Sequence, residues 1–192
     1  MTIIMNKIIN TTTLMFIAAL ALTSCHGQQG LEQEERQVEH PVTVTYSIKC
    51  SQDAIEAINM VVDYMDNGIS ATDTIRDTIW TKTVVNDSIP AKVGLHWAFT
   101  PKAADKIGKD TIGRLEAYYT IQCTEPDTTL WNCIFHYRGF PTSKLGTLCE
   151  VVNHRQTDPR LKWYGYPPCF SIRSRTTDNS LYFGPWEGWK DQ

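Results

Sequence analysis

Cysteine and histidine are the residues of this 192-residue chain whose types and spacing could do chemistry. Cys133 and His136 are followed by Cys149 and His154, which gives four sulfur and nitrogen donors at intervals typical of zinc sites. Cys133 and His136 are an odd number of positions apart on a predicted strand, so they would point to opposite faces of it. Unless a turn or bulge intervenes, these four side chains cannot share an ion, and we predict no metal site and no cofactor.

The motifs of the common hydrolases are absent. The sequence contains neither Gly-x-Ser-x-Gly nor His-Glu-x-x-His. Residues 108–113 have the glycine spacing of a phosphate-binding loop, but Arg114 and Leu115 replace the Lys and Ser/Thr that phosphate and Mg²⁺ require. We therefore predict that the protein is not an enzyme. The alternative is an envelope hydrolase that uses Cys and His residues between positions 123 and 169.

The N-terminus has the pattern of an export signal. Lys7 is the only charged residue before position 32, and the apolar run from Leu14 to Leu22 is too short to span a membrane. The run ends in Leu22-Thr23-Ser24-Cys25, which resembles the lipobox of bacterial lipoproteins. That resemblance implies a signal peptide over residues 1–24 and a lipid on Cys25, the first residue of the mature protein.

A polar, acidic segment over residues 25–40 is typical of a flexible tether. With the lipid on Cys25 it predicts an exported protein whose membrane contact is this anchor. The expected location is the bacterial cell envelope, at the outer membrane, on either its periplasmic or its outer face.

Lipidation of Cys25 would leave five cysteines, which form at most two disulfides in fifteen possible choices of pairs. Cys50, Cys123 and Cys133 fall on the apolar faces of predicted strands, where a reduced cysteine behaves as a small hydrophobic residue. Free thiols are therefore the expectation. The five are Cys50, Cys123, Cys133, Cys149 and Cys169.

Alternating apolar and polar residues predict a β-rich body. The pattern is clear over residues 42–50, 93–99 and 115–123, and weaker over residues 131–137. Residues 52–58 suggest a helical turn before a strand that ends in an Asn67-Gly68 hairpin, and two further strands are expected between residues 69 and 86. About seven short strands predict an all-β, antiparallel sandwich over residues 41–137.

The order of these segments also resembles a known group of proteins. The residues concerned are the strand ending in Tyr64-Met65-Asp66-Asn67-Gly68, then Trp80-Thr81-Lys82-Thr83-Val84, Ile89 to Leu95, and Phe99-Thr100-Pro101-Lys102. Over residues 41–124 they look like small immunoglobulin-like lipoproteins of Gram-negative gut anaerobes, whose function is unassigned. The resemblance implies an immunoglobulin-like fold and an envelope location.

Residues 138–192 are rich in Arg, Pro and Gly, which predicts an irregular extension packed on the sandwich. Residues 148–152 and 170–173 are candidates for added edge strands. Two alternatives remain open: a segment produced by a shifted reading frame, or a binding surface formed by aromatic side chains. Those aromatic residues are Trp163, Tyr164, Tyr166, Tyr182, Phe183, Trp186 and Trp189.

The net charge of −3 gives no support to nucleic-acid binding, and the chain is too short for a large α/β barrel. An anchored sandwich with exposed loops favours a non-catalytic binding or adhesion module. Its expected ligand is a glycan, a peptide or a partner protein.

Overall fold

A computed structural model describes residues 38–158 and 168–185, all of which fall within one compact unit. The strands are β1 Val38–Cys50, β2 Ile58–Asp66, β3 Ile69–Ile75, β4 Ile79–Ile89, β5 Ala91–Pro101, β6 Thr111–Cys123, β7 Thr128–Pro141, β8 Cys169–Ser174 and β9 Leu181–Gly184. The helices are α1 Gln52–Ala57, α2 Ala104–Ile107 and α3 Leu145–Arg155, and a 3₁₀ turn over Thr142–Lys144 precedes α3.

These strands form two antiparallel sheets. The four-stranded sheet has the order β4-β1-β6-β7, and the five-stranded sheet has the order β3-β2-β5-β8-β9. The all-β antiparallel prediction is confirmed at this level. The described residues contain nine strands rather than about seven, because β8 and β9 come from the segment expected to be irregular.

Aromatic side chains from both sheets meet in the core. Trp97 of β5 packs on Tyr119 of β6 with ring centroids 5.8 Å apart, and Tyr46 of β1 packs on Tyr64 of β2 at 5.9 Å. The buried hydroxyl of Tyr46 donates a hydrogen bond of 3.0 Å to the Met65 carbonyl, so its polar atom is satisfied inside the core. The two sheets therefore pack face to face around one hydrophobic core.

The region around residue 60 follows the sequence prediction. Ser51 caps α1 through a 3.3 Å bond from the Ala54 amide to its hydroxyl, and β2 begins directly afterwards. Asn67 and Gly68 have φ angles of 47° and 81°, which are the left-handed values that a type I′ hairpin needs. The predicted helical turn, strand and hairpin are all confirmed.

Two expectations about the later part of the chain are wrong. Residues 148–152 belong to the helix α3 and not to an edge strand. Residues 170–173 do form a strand, but β8 lies between β5 and β9 and not at an edge. The proposed boundary between residues 137 and 138 falls inside β7, which continues to Pro141.

Helix α3 covers the part of β5 that β8 does not pair. β8 reaches β5 only at residues 91–94. Beyond that point the side-chain amide of Gln156 bonds both backbone groups of Trp97, and the Asn153 amide does the same for Phe99. The amides thus replace the hydrogen bonds of a neighbouring strand, which leaves no need for the strand expected at 148–152.

The predictions for the N-terminus fall almost wholly outside the described residues. These are the signal peptide over residues 1–24, the lipid on Cys25 and the tether as far as residue 37. Residues 38–40 belong to β1, so the sheet begins before the end of the expected tether. Within the described part of the chain, no helix has the length and apolar character needed to cross a bilayer.

Candidate functional site

Strands β6 and β7 place alternate side chains on the outer face of the four-stranded sheet. Directly opposed residues of an antiparallel pair lie on the same face, with Cβ atoms about 5 Å apart. We call the resulting four cross-strand pairs the β6–β7 ladder: Arg114–Arg138, Glu116–His136, Tyr118–Cys133 and Thr120–Trp131.

A bulge in β7 creates this arrangement. The register shifts between Ala117 and Tyr118, which oppose Phe135 and Cys133, so that Ile134 is an extra residue. Ile134 and Phe135 are both buried. The shift puts Cys133 and His136 on the same face, and the expectation that they point to opposite faces is wrong for this physical reason.

Glu116 lies at the centre of the ladder. Its side chain is only 10% exposed, and its Oε1 lies 2.6 Å from Nη2 of Arg114. Its Oε2 lies 3.0 Å from Nδ1 of His136, but this approach lacks the direction of a hydrogen bond, and Oε2 has no hydrogen bond among the described residues. The contact with His136 is therefore an ion pair only when the imidazole is protonated.

Tyr118 completes a polar chain beside Glu116. Its hydroxyl shares a 2.8 Å hydrogen bond with Nδ1 of His136. Burial, followed by the negative charge of Glu116, raises the pKa of Tyr118. The hydroxyl therefore stays neutral at physiological pH and can both donate and accept a hydrogen bond.

Cys133 is half-buried in the same ladder. Burial raises the pKa of its thiol, the charge of Glu116 raises it further, and Arg155 opposes these effects. A reactive cysteine needs a lowered pKa, because the thiolate is the nucleophile. The electrostatics of Cys133 therefore give no support to the alternative of a hydrolase.

The four candidate zinc ligands do not converge. Cys149 is buried in α3, whereas His154 is exposed and its ring nitrogen lies 3.5 Å from the Thr157 hydroxyl. Among the described residues there is no group of three or more His, Cys, Asp or Glu side chains placed to hold a metal ion. The bulge brings Cys133 near His136, but Cys149 and His154 are not part of that set.

Trp131 is the most exposed aromatic side chain in the described part of the chain, at 70%. The alternating pattern put it on the buried face with Cys133 and Phe135, and this expectation is wrong for both Trp131 and Cys133 because the bulge changes the face between residues 133 and 135. Only Phe135 enters the core, where it meets Phe99 edge to face at 6.1 Å.

Hydroxyl groups extend the outer face from the ladder across β1 and β4. Thr120 is opposite Ser47, which is opposite Thr81, so the row that contains Trp131 continues as three hydroxyls. In the next row Thr45 and Thr83 share a 3.0 Å hydrogen bond. The face combines an exposed indole, a tyrosine, charged groups and hydroxyls.

Sequence reasoning placed the binding surface elsewhere. Trp163, Tyr164, Tyr166, Trp186 and Trp189 lie outside the described residues, as does Cys25, whereas Tyr182 and Phe183 lie in β9 of the other sheet. Of the ladder residues, only Cys133 and His136 were site candidates from the sequence, and only as metal ligands. The apolar run Cys133-Ile134-Phe135 breaks the alternation and indicates an irregularity, but it does not show which residues the irregularity brings together.

The fold and this outer face define a two-sheet antiparallel β-sandwich with an aromatic and charged patch on one sheet. No family model, no curated protein and no solved structure matches the chain. A fold of this kind hosts many functions, so the groups on the patch are the guide to what the protein binds.

Proposed function

We propose that the protein is a lipid-anchored protein of the bacterial cell envelope whose sandwich is a non-catalytic binding module for a glycan. The observation that supports this most is Trp131, 70% exposed and one ladder step from Tyr118. A large aromatic side chain that is exposed to water is stabilised when a ligand covers it, because its apolar surface is then buried.

The chemistry of the patch suits a sugar. A sugar ring has C–H groups that pack on an aromatic face and hydroxyls that need hydrogen-bond partners. The indole of Trp131 offers the face, while Tyr118 and His136 offer hydrogen-bonding groups within the same ladder.

The location in the envelope rests on the Leu22–Cys25 lipobox and the polar segment after it. A diacylated cysteine anchors stably, because two acyl chains bind a membrane where one is marginal. The immunoglobulin-like kinship is part of the same proposal. Two face-to-face antiparallel sheets support it, although β1 lies between β4 and β6, an order that differs from that of immunoglobulin domains.

Glycan binding is tested with polysaccharides and oligosaccharides in affinity electrophoresis and calorimetry. Trp131→Ala should weaken binding by about two- to tenfold, because an aromatic contact contributes roughly 0.5–1.5 kcal/mol. Trp131→Phe should keep most of the affinity, since it retains an aromatic face.

The matched control is Ile69→Ala, which removes another exposed apolar side chain (73%) from β3 of the other sheet. It should leave affinity unchanged. If no glycan binds, or if Trp131→Ala binds as well as the wild type, the proposal is wrong. Capture of one envelope protein in place of any glycan would make the ligand a protein.

The anchor is tested separately by expression of the full-length chain in a Gram-negative host with labelled fatty acid. We expect label in the wild type and none in Cys25→Ser, which should move from the membrane to the soluble fraction. Label that persists in Cys25→Ser would remove the lipobox assignment without affecting the binding proposal.

A further inference from the structure

Two arginines face each other at one end of the β6–β7 ladder. Arg114 and Arg138 are directly opposed and both are exposed. Like charges in this relation are destabilising. Glu116 offsets Arg114 through the 2.6 Å contact, whereas Arg138 makes no ion pair with any residue in 38–158 or 168–185.

Two further cations lie beside the middle of the ladder, at the Tyr118–Cys133 pair. Lys49 of β1 is opposite Tyr118, and the charge of Arg155 of α3 opposes the rise in the pKa of the Cys133 thiol. At the arginine end, Asp53 accepts a hydrogen bond from the Arg114 backbone N–H and is paired with Lys109. Against these cations the ladder contains a single carboxylate, Glu116, which is largely buried. A cationic patch on a chain with a net charge of −3 indicates charge complementarity to an anionic ligand.

The distance along the ladder limits the size of that ligand. Arg114 and Thr120 are six positions apart on β6, which is about 20 Å at roughly 3.3 Å per strand residue. A group bound between the arginines and a ring stacked on Trp131 would thus be separated by the length of an oligosaccharide. Arginine binds carboxylate and sulfate groups through paired N–H donors.

We propose that the β6–β7 ladder binds an acidic oligosaccharide, with an anionic substituent between Arg114 and Arg138 and a sugar ring on Trp131. The inference rests on the proposed glycan binding and specifies its ligand class. The anion is a carboxylate of a uronic acid or a sulfate ester, which share this recognition chemistry.

The test uses the full-length protein and three probes in calorimetry. They are a short oligogalacturonate, the same oligomer with its carboxyl groups reduced to alcohols, and a sulfated oligosaccharide. We expect one or both acidic probes to bind more tightly than the reduced oligomer, and increasing salt to weaken only the acidic probes.

Arg138→Gln should weaken the acidic probe by about tenfold, since hydrogen bonds to charged groups are the strong ones. It should leave the reduced oligomer unchanged. The control is Arg175→Gln, which removes an exposed arginine from the β8–β9 connection of the other sheet. Arg138 is exposed, so Arg138→Gln should fold, and Arg138→Lys should regain part of the affinity.

The outcomes separate this inference from the proposed function. If acidic and reduced oligomers bind equally, or if Arg138→Gln has no more effect than Arg175→Gln, the acidic preference is refuted while glycan binding stands. If no probe and no other glycan binds, the proposed function fails and this inference fails with it. Acidic binding that is lost in both Arg138→Gln and Trp131→Ala supports both.

Discussion

Replacement of Gln156 by leucine should destabilise the sandwich far more than replacement of an exposed glutamine. Gln156 is 4% exposed at the end of α3. Its Oε1 accepts a 2.8 Å bond from the Trp97 N–H, and its Nε2 donates a 2.7 Å bond to the Trp97 carbonyl. Trp97 is itself 1% exposed, so water does not replace these bonds.

The magnitude follows from the two groups left without partners. A buried backbone group that loses its hydrogen bond costs about 1–3 kcal/mol, so the loss of both in Gln156→Leu should lower the free energy of unfolding by roughly 2–6 kcal/mol. Domains of this size are stable by about 5–15 kcal/mol. Gln156→Glu keeps the size and the acceptor but has no proton to donate when ionised, so it should also destabilise.

Urea unfolding measures the free energy, and hydrogen exchange of the Trp97 amide measures the local effect. The control is Gln122→Leu, an exposed position on β6 that should change the free energy by less than about 0.5 kcal/mol. If Gln156→Leu unfolds like this control and the Trp97 amide stays protected, then α3 does not satisfy the free edge of β5.

Three further predictions concern stability and thiol chemistry. Asn86 is 1% exposed, and neither polar atom of its amide has a hydrogen bond among the described residues. Asn86→Leu should therefore raise the free energy of unfolding in urea by about 1–2 kcal/mol. A lower free energy of unfolding in Asn86→Leu would contradict this. Lys109 Nζ donates a 2.8 Å hydrogen bond to the Asp53 carboxylate, and this bond is the main reason that the pKa of Asp53 lies below the ordinary 3.8. The stability it gives is present above pH 3.8 and is lost as the pH falls through the lower folded value, so Asp53→Asn should show a shallower acid transition than the wild type; identical acid transitions would count against it. The five described cysteines are free thiols, so alkylation without reductant should label all five after unfolding. Burial raises the pKa of Cys50, Cys123 and Cys149 to about 11, so these three should react slowly in the native protein. Two protected pairs after unfolding would show disulfides instead.

The strands of the body could be predicted from sequence because each buries one face. In β1 the residues Val42, Val44, Tyr46 and Ile48 are fully buried and the intervening residues are not, so a period of two is visible in the residue types. The Asn67-Gly68 hairpin was equally visible, because few other residue pairs adopt positive φ angles.

Helix α3 has a helical pattern of apolar residues in the sequence. Its buried residues Leu145, Leu148, Cys149 and Val152 have the spacing of one helical face, but a short window over residues 148–152 hides it. The roles of Asn153 and Gln156 could not be predicted. They depend on which part of β5 stays unpaired, and that is a property of the tertiary fold.

The bulge at Ile134 links the core to the candidate site. On one side it admits both Ile134 and Phe135 into the core, where Phe135 packs on Phe99. On the other it leaves Cys133 and Trp131 on the same outer face as His136 and Arg138. An unbulged β7 with Phe135 in the core would also turn His136 and Arg138 outward, but it would expose Ile134 and turn Cys133 and Trp131 toward the core. The extra residue therefore buries Ile134 beside Phe135, and the same bulge assembles the β6–β7 ladder.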